Sequence, residues 1–382
     1  MLTYRFPGAL AAALIASSAT AVCAEGQAAP TDTTPKITVS GFIDGYFAYD
    51  LGRPTSFDHS FAGGALFTTQ PARHNEFNVN LAFIELKLDA PHYRGRFALQ
   101  TGTSVQSNYA GEPTHGAVSG ASLSRLIQEA VVGVKVAKNI WIDGGVFYSH
   151  LGMESWASKD NPTYTRSLVA DYSPYYQSGV KATWTPTAKL TAQLDIVNGW
   201  QNISENNMAK GVGIRLDYAA NANSTISYYN LFSDEAGAKL RTFNGVGIKQ
   251  TTGKLTVLGE VDVGTQARSS ATNGTSTWYG WTAVAKVQTT PVVALVFRAE
   301  SYDDKDQAII STGSSSATAI PPNPALRAFG GSVGVDVTPY ARIAWRSELR
   351  GWRNKDGVFP DGPSKVPSKN SVVAVTSLSL IF

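Results

Sequence analysis

The residues with the greatest potential for covalent chemistry in this chain are five histidines. His150 follows Ser149 directly, and a serine with a histidine is the pair that a barrel-embedded lipid hydrolase would use. Adjacent residues of a strand point to opposite faces, so His150 cannot activate Ser149 directly. The other histidines fall in or beside predicted loops without a matching nucleophile, at His59, His74, His92 and His115. We therefore predict no catalytic residues and no enzyme.

Ligands for a metal or a cofactor are equally sparse. The run Asp303-Asp304-Lys305-Asp306 could bind a calcium ion, but a solvated loop explains the same composition. The chain has neither a glycine loop of the phosphate-binding kind nor a Cys/His metal spacing. The net charge of +3 is spread without basic runs, which excludes a nucleic-acid partner. We expect no metal and no cofactor.

The composition of the chain limits the class of protein that it can form. Only 16% of the 382 residues are charged and 35 residues are glycine, whereas roughly 25% of an ordinary globular domain is charged. This balance is typical of neither a disordered chain nor a helical membrane protein.

From Lys36 onward the hydropathy alternates with a period of two residues, which indicates strands. In one segment Leu255, Val257, Val261 and Val263 share one face, and Thr256, Glu260 and Asp262 share the other. The same contrast recurs in segments 190–200, 279–288 and 342–350. Each predicted strand therefore has one apolar edge and one charged edge.

Short and long connections alternate along the chain, as they do in a barrel with short periplasmic turns and long extracellular loops. The predicted turns are 90–95, 137–139, 186–188, 220–223, 251–253, 290–291 and 339–340. The predicted loops include 52–75, 107–124, 154–175, 265–276, 303–325 and 353–369. We predict an all-β, closed antiparallel transmembrane β-barrel of about 16 strands, with 14 or 18 as alternatives.

Aromatic residues near the ends of the apolar edges favour a lipid-facing surface with two girdles. Trp184 and Tyr218 are predicted at one rim, and Tyr148 and Trp200 at the other. The chain ends at Phe382 directly after an alternating strand, which is the type of terminus that outer-membrane assembly machinery recognises. We predict Phe382 to be the assembly signal.

The N-terminus has the features of a secretory signal. Arg5 supplies the positive charge, Leu10–Ile15 is a short apolar stretch, and Val22-Cys23-Ala24 offers a cleavage site. We predict a signal peptide over 1–24, a periplasmic segment over 25–35 and a barrel over 36–382. Export to a Gram-negative outer membrane follows from this organisation. Cys23 is the only cysteine and would be removed with the signal peptide.

A narrower resemblance depends on the middle of the chain. The runs Tyr148–Gly152 (YSHLG), Tyr164–Leu168 (YTRSL) and Asn198–Gln201 (NGWQ), with Glu154, Asn161, Pro174, Gly179 and Asn206-Asn207, resemble the putative β-barrel porin-2 family of bacterial outer-membrane proteins. The similarity extends over about Gly41–Phe382, with its specific motifs between Gly145 and Tyr218. The resemblance implies an outer-membrane pore and identifies no substrate.

A barrel of this size encloses an aqueous channel, so the charged edges are expected to face water. The same bases facing lipid would cost ~2 to 4 kcal/mol each near the midplane. The predicted pore-lining residues are Glu129, Lys135, Asp143, Lys181, Asp195, Arg215, Asp217, Glu260, Asp262, Lys286, Arg298, Glu300, Arg342, Arg346 and Arg350. The five bases from Lys286 onward either form a basic wall that favours anions, or pair with acids of neighbouring strands without any selectivity.

Loop 154–175 lies between the fifth and sixth predicted strands, where general porins fold a loop into the channel. There Glu154, Asp160, Arg166 and Asp171 would narrow the pore. The alternative is an ordinary surface loop.

Taken together, the sequence predicts a porin for passive diffusion of small hydrophilic solutes. A non-conducting adhesin or structural barrel is the alternative, and a lipid hydrolase is less favoured. The expected partners are outer-membrane lipids, the barrel-assembly machinery and the solutes. Association into homotrimers is left open, as are the solute and the gating.

Overall fold

A computed structural model describes residues 34–235, 237, 239–267, 274–313, 324–362, 364 and 366–382. The predicted signal peptide lies outside the described residues. Alternating sequence patterns become long strands here because each strand places apolar side chains on one face and polar ones on the other.

Sixteen strands make up the sheet. They are β1 (Lys36–Asp50), β2 (Glu76–Asp89), β3 (Tyr93–Thr101), β4 (Ile127–Ala137), β5 (Ile140–Tyr148), β6 (Tyr176–Thr187), β7 (Leu190–Val197), β8 (Gly211–Asn221), β9 (Ser224–Glu235), β10 (Lys239–Thr252), β11 (Leu255–Ala267), β12 (Thr275–Gln288), β13 (Val293–Asp304), β14 (Leu326–Tyr340), β15 (Ile343–Asn354) and β16 (Asn370–Ile381).

Among the described residues, helical structure is confined to short segments between strands. These are α1 (Thr103–Asn108), α2 (Ala121–Ser124), a 3-10 turn at Ser158–Asp160 and α3 (Leu168–Asp171). Within the part of the chain that the structure describes, no helix has the length and apolar character needed to cross a membrane.

Every strand pairs in antiparallel fashion with its sequence neighbours, and β1 pairs with β16 to close the ring. The predicted closed barrel of 16 strands is therefore confirmed. Closure satisfies the backbone groups of the first and last strands, which lipid could not do. At the seam the amide of Gly41 donates to the Phe382 carbonyl at 2.9 Å, and the Phe382 amide donates back at 3.1 Å.

The ring of Phe382 lies directly over Gly41, in space that a Cβ atom would occupy. Position 41 therefore needs glycine for the terminal ring to lie against the first strand.

Apolar side chains point outward and charged ones inward, toward the space that we call the lumen. On β11, Val261 is 55% exposed, whereas its neighbours Glu260 and Asp262 are 2% exposed each. Among the rim aromatics, Trp184 and Tyr218 lie exposed on the outer surface as expected. The predictions for Tyr148 and Trp200 are wrong. The Tyr148 ring lies inside the barrel, 5.8 Å from the Arg96 guanidinium, and the Trp200 ring packs inward, edge-on against Phe243 at 5.2 Å.

One end of the barrel carries the short turns, and the other carries the loops, named L1 to L8 in chain order. They include L1 (51–75), L2 (102–126), L3 (149–175), L4 (198–210) and L8 (355–369). The predicted alternation of connections has one exception, since β9 and β10 are joined by a short link on the loop side.

Candidate functional site: the lumen and the loop inside it

The predicted pore-lining residues lie on strands, on the parity opposite to the exposed apolar residues, with one exception. Arg342 lies in the turn between β14 and β15 and is exposed. The prediction started the following strand one residue too early, because β15 begins only at Ile343. Arg342 therefore does not belong to the predicted wall.

The other bases of the late strands are all paired with acids. Arg298 on β13 contacts Glu348 on β15 at 2.6 Å, and Arg350 on β15 contacts Glu300 on β13 at 2.7 Å. The two pairs cross the intervening strand β14 in opposite directions. Such bridges fit because β14 presents only small inward residues there, Ser332 among them.

Asp336 on β14 serves two bases at once. It binds Arg346 at 2.9 Å and Lys286 at 2.6 Å. The charges of the late strands therefore compensate one another. This agrees with ion pairing between strands and not with a basic wall on these strands. Neither Asp336 nor Glu348 was among the predicted site residues, although both lie on the charged edge of their strands.

Loop L3 docks on this charged cluster through its backbone. The amide of Thr165 donates to Glu348 at 2.8 Å, and the amide of Leu168 donates to Glu300 at 2.7 Å. Arg298 donates to the Thr165 carbonyl at 2.7 Å. Acids and bases of the wall thus satisfy the polar groups of an irregular segment that would otherwise be buried without partners.

The first residues of L3 are fixed along β8 to β11. Arg215 donates to the carbonyls of His150 and Gly152 at 2.8 Å each. The amide of Met153 donates to Glu260 at 3.1 Å, and its side chain fills the space beside Gly247.

Further along, L3 reaches the strands next to the seam. Arg346 donates to the Ser158 carbonyl at 2.6 Å, and the Ser158 hydroxyl donates to Asp44 on β1 at 3.1 Å. L3 starts and ends at β5 and β6 and contacts β8, β10, β11, β13, β15 and β1 in between. It therefore lies inside the barrel, along the wall from β8 to β1.

The four residues expected to narrow the pore have different surroundings. Asp160 is exposed and pairs with Lys159 at 2.8 Å. Arg166 is fully buried, 4.0 Å above the Tyr175 ring and 3.6 Å from Asp171. Arg166 and Asp171 therefore bind each other and Tyr175 within the loop, and their side chains do not reach the open lumen.

Glu154 also binds within the loop. It accepts a hydrogen bond from the Ser167 amide at 3.0 Å and another from the Ser167 hydroxyl. Burial raises the pKa of the Glu154 carboxyl, while the nearby Arg298 and the Ser167 bonds act in the opposite direction. A cavity of about 190 Å³ lies against Glu154, between the Tyr148 and Trp156 side chains.

Above L3, apolar side chains of other loops fill part of the lumen. Phe61 and Phe67 of L1 pack on each other at 4.9 Å, and Phe67 packs on Trp352 of β15 at 4.8 Å. Phe359 of L8 joins them at 5.0 Å from Phe67. The extracellular half of the lumen on this side is therefore closely packed.

On the other side of the lumen, from β2 to β6, the inward bases reach water. Lys87, Arg94 and Arg96 expose between 33% and 44% of their side chains. Lys135 is exposed and Lys181 half-buried. Of these, only Lys135 and Lys181 were predicted. The alternation on β2 and β3 carries the same signal and would have identified the others.

The candidate catalytic and metal residues are used structurally. His150 is buried within the barrel. Its Nδ1 lies 2.9 Å from Gln177 and its Nε2 lies 2.7 Å from the Asn230 carbonyl.

Asp304 accepts hydrogen bonds from the amides of Ala308, Ile309 and Ile310. Its carboxylate therefore fixes the backbone of residues 308–310. The described residues include no group of three or more His, Cys, Asp or Glu that could hold a metal ion.

Comparison with solved structures gives three similar barrels. The anion-selective porin from Comamonas acidovorans superposes with a TM-score of 0.58 at 11% identity, over 91% of this chain and 100% of that one. Salmonella typhi OmpF in complex with daunomycin gives 0.58 at 12% identity, over 92% and 100%. The trimer form of Vibrio cholerae OmpT gives 0.56 at 7% identity, over 92% and 100%. At these identities the likeness shows the fold alone.

No curated protein matches the chain. A family model, by contrast, matches residues 36–382, which include all sixteen strands and the loop inside the lumen. That model describes outer-membrane channels, in agreement with the closed barrel and its charged interior. The chain belongs to the putative β-barrel porin-2, OmpL-like family of porins.

Proposed function

We propose that small hydrophilic solutes diffuse through this porin on the β2–β6 side of L3. The observation that carries the proposal is the asymmetry of the periplasmic half of the lumen. The extracellular half is packed on the β2–β6 side as well, where Tyr109 of L2 and Trp156 of L3 lie against Tyr176.

The wall from β8 to β1 is covered by L3, and its three late-strand arginines Arg298, Arg346 and Arg350 are buried. The opposite wall keeps water-exposed bases, Arg94 and Lys135 among them.

Ionised side chains exposed in a lumen require water around them, because an isolated charge in an apolar medium is strongly unfavourable. A water-filled route beside L3 would supply that hydration and would pass solutes of small size. L3 would then form one side of the narrowest section. The alternation of charged and apolar faces supports this route for every strand from β2 to β6.

Thiol labelling tests the route. Cys23 is the only cysteine of the chain and falls in the predicted signal peptide, so Lys135→Cys and Lys181→Cys each place a single thiol in the mature protein. We expect a water-soluble methanethiosulfonate reagent to lower the single-channel conductance of both variants in planar bilayers. Val132→Cys, on the outer face of β4 at 71% exposure, is the matched control and should not respond.

If both lumenal variants are labelled without any change of conductance, solutes do not pass this wall and the proposed route is wrong. Lack of labelling under conditions that modify the denatured chain would contradict it as well.

A non-conducting structural barrel is the second candidate, favoured by the aromatic packing of Phe61, Phe67 and Phe359 in the extracellular half of the lumen. Bilayer conductance of the purified protein separates it from a porin. A lipid hydrolase is disfavoured because both ring nitrogens of His150 already have partners.

Export, assembly and association complete the proposal. A signal peptide over 1–24 would direct the chain to export toward the outer membrane. The barrel-assembly machinery would recognise the strand that ends at Phe382. The similar OmpT barrel exists in a trimer form, and we extend that state to this protein as a homotrimer in outer-membrane lipid.

A further inference from the structure

Five inward bases follow one another around the exposed side of the lumen. We define the β2–β6 basic wall as Lys87 on β2, Arg94 and Arg96 on β3, Lys135 on β4 and Lys181 on β6. Their side chains are exposed or half-buried. A solute beside L3 would therefore meet ammonium and guanidinium groups.

Acids of the same strands lie beneath these bases. Glu85, Glu129 and Asp143 expose only 6%, 4% and 1% of their side chains. Arg96 binds Glu85 at 2.6 Å and Glu129 at 2.9 Å, and Arg94 binds Asp143 at 2.5 Å. The acids fix the positions of the bases from behind, while the positive groups remain on the water side.

Two bases of the wall lie farther from acids than a close ion pair, although Asp143 and Asp195 face Lys181 across the strand register. Lys135 and Lys181 form no ion pair with any residue in the described ranges of the chain. The Lys181 ammonium lies 4.5 Å from the centre of the Phe147 ring. The Lys135 ammonium lies 5.9 Å from the Trp141 ring, which also carries the Arg94 guanidinium at 4.4 Å. Aromatic faces orient these cations without neutralising them.

The opposite wall differs in how much of its charged side chains is exposed to a passing ion. Its arginines Arg298, Arg346 and Arg350 expose at most 5% of their side chains and bind acids and L3 carbonyls. On the β2–β6 side the acids are buried and the bases exposed. The exposed Asp89 at the periplasmic rim lies across from the exposed Lys36.

We propose that the β2–β6 basic wall makes this channel selective for small anions, inorganic ions and carboxylates alike. The inference rests on the proposed diffusion route beside L3. Charges that line a narrow passage with low-dielectric walls raise the local concentration of the opposite ion and lower that of the like ion. Lys135 contributes most, because no acid among the described residues lies within ion-pair distance of it, whereas Asp143 and Asp195 on the adjacent strands reduce the field of Lys181.

Reversal potentials across a potassium chloride gradient test the inference with two double variants of equal charge change. Lys135→Gln/Lys181→Gln removes two positive charges from the basic wall. Lys249→Gln/Lys286→Gln removes two from β10 and β12, across the lumen. Each measurement is made at about 0.1 M and about 1 M salt, where the Debye length falls from ~10 Å to ~3 Å.

The wild-type channel should favour chloride at the lower salt concentration and lose most of that preference at the higher one. The wall variant should lose at least half of the wild-type reversal potential, and the control variant much less. Replacing chloride by acetate should preserve the sign.

A wild-type channel that conducts but favours potassium, or equal shifts in the two double variants, would overturn anion selection by this wall and leave the porin function intact. Absence of any conductance would instead overturn the proposed route and this inference with it.

Discussion

At the scale of single residues, the lumen is organised by pairs of buried opposite charges. Glu300 shows how much one side chain holds: it binds Arg350 at 2.7 Å, accepts the Leu168 amide at 2.7 Å and accepts the Trp352 indole N–H at 3.0 Å. A buried charge that loses its partner is far less stable than the intact pair.

Glu300→Gln should therefore destabilise the barrel by ~3 to 5 kcal/mol, since it leaves the fully buried Arg350 without a counter-charge. The measurement is the free energy of unfolding in denaturant. Asp160→Asn makes the same chemical change in an exposed pair and should cost less than about 1 kcal/mol. Equal losses in the two variants would contradict the structural role of the buried pair.

The alternating sequence was sufficient to identify Glu300 and Arg350 as inward residues. It could not pair them, because they lie on β13 and β15 rather than on adjacent strands. Their contact depends on the small Ser332 between them, which a pattern of apolar and polar residues does not distinguish from any other polar position. The misplaced Arg342 has a simpler cause, since a strand boundary is uncertain by a few residues in any pattern.

At the scale of elements, loop L3 decides how much of the lumen is open. Its position inside the barrel could be stated from the sequence only as one of two alternatives. The contacts that fix it join residues far apart in sequence, such as Thr165 with Glu348 and Ser158 with Asp44. Nothing in the composition of a polar loop signals partners at such separations.

Deletion of 161–166 should raise single-channel conductance, because it removes the part of L3 that crosses between Arg346 and Arg298. We expect an increase of about twofold or more, as a wider water-filled section conducts more ions. Deletion of 205–208 in L4, where Met208 is 99% exposed, serves as the control and should leave conductance unchanged. An unaltered conductance in the L3 variant would show that the loop is no constriction.

At the scale of the whole molecule, closure of the ring depends on the fit of the last residue to the first strand. The sixteen strands and their order could be predicted from alternation and connection lengths, and so could the role of the terminal phenylalanine at the end of the last strand. The seat of the Phe382 ring on Gly41 could not, because it depends on the register of two strands from opposite ends of the chain.

Gly41→Ala should lower the fraction of chains that fold into closed barrels and reduce stability by ~1 kcal/mol, since the added methyl group makes the exposed Phe382 ring turn away from the first strand. Gly45→Ala lies on the same face of the same strand, and its Cβ would have no neighbour closer than 3.9 Å. Refolding yield and unfolding free energy of both variants decide the matter. If Gly45→Ala is the more harmful, the seam is not limited by this contact.

The course of L3 also has a mechanical side. The loop leaves the ring at β5 and β6, follows the wall and is fastened to β13 and β15 by charge-assisted hydrogen bonds, so it connects distant parts of the wall. Lateral pressure from the surrounding lipid tends to flatten a hollow barrel. A loop bonded to strands on different sides of the barrel resists that deformation. The segment that occupies part of the lumen therefore also stiffens the barrel around it.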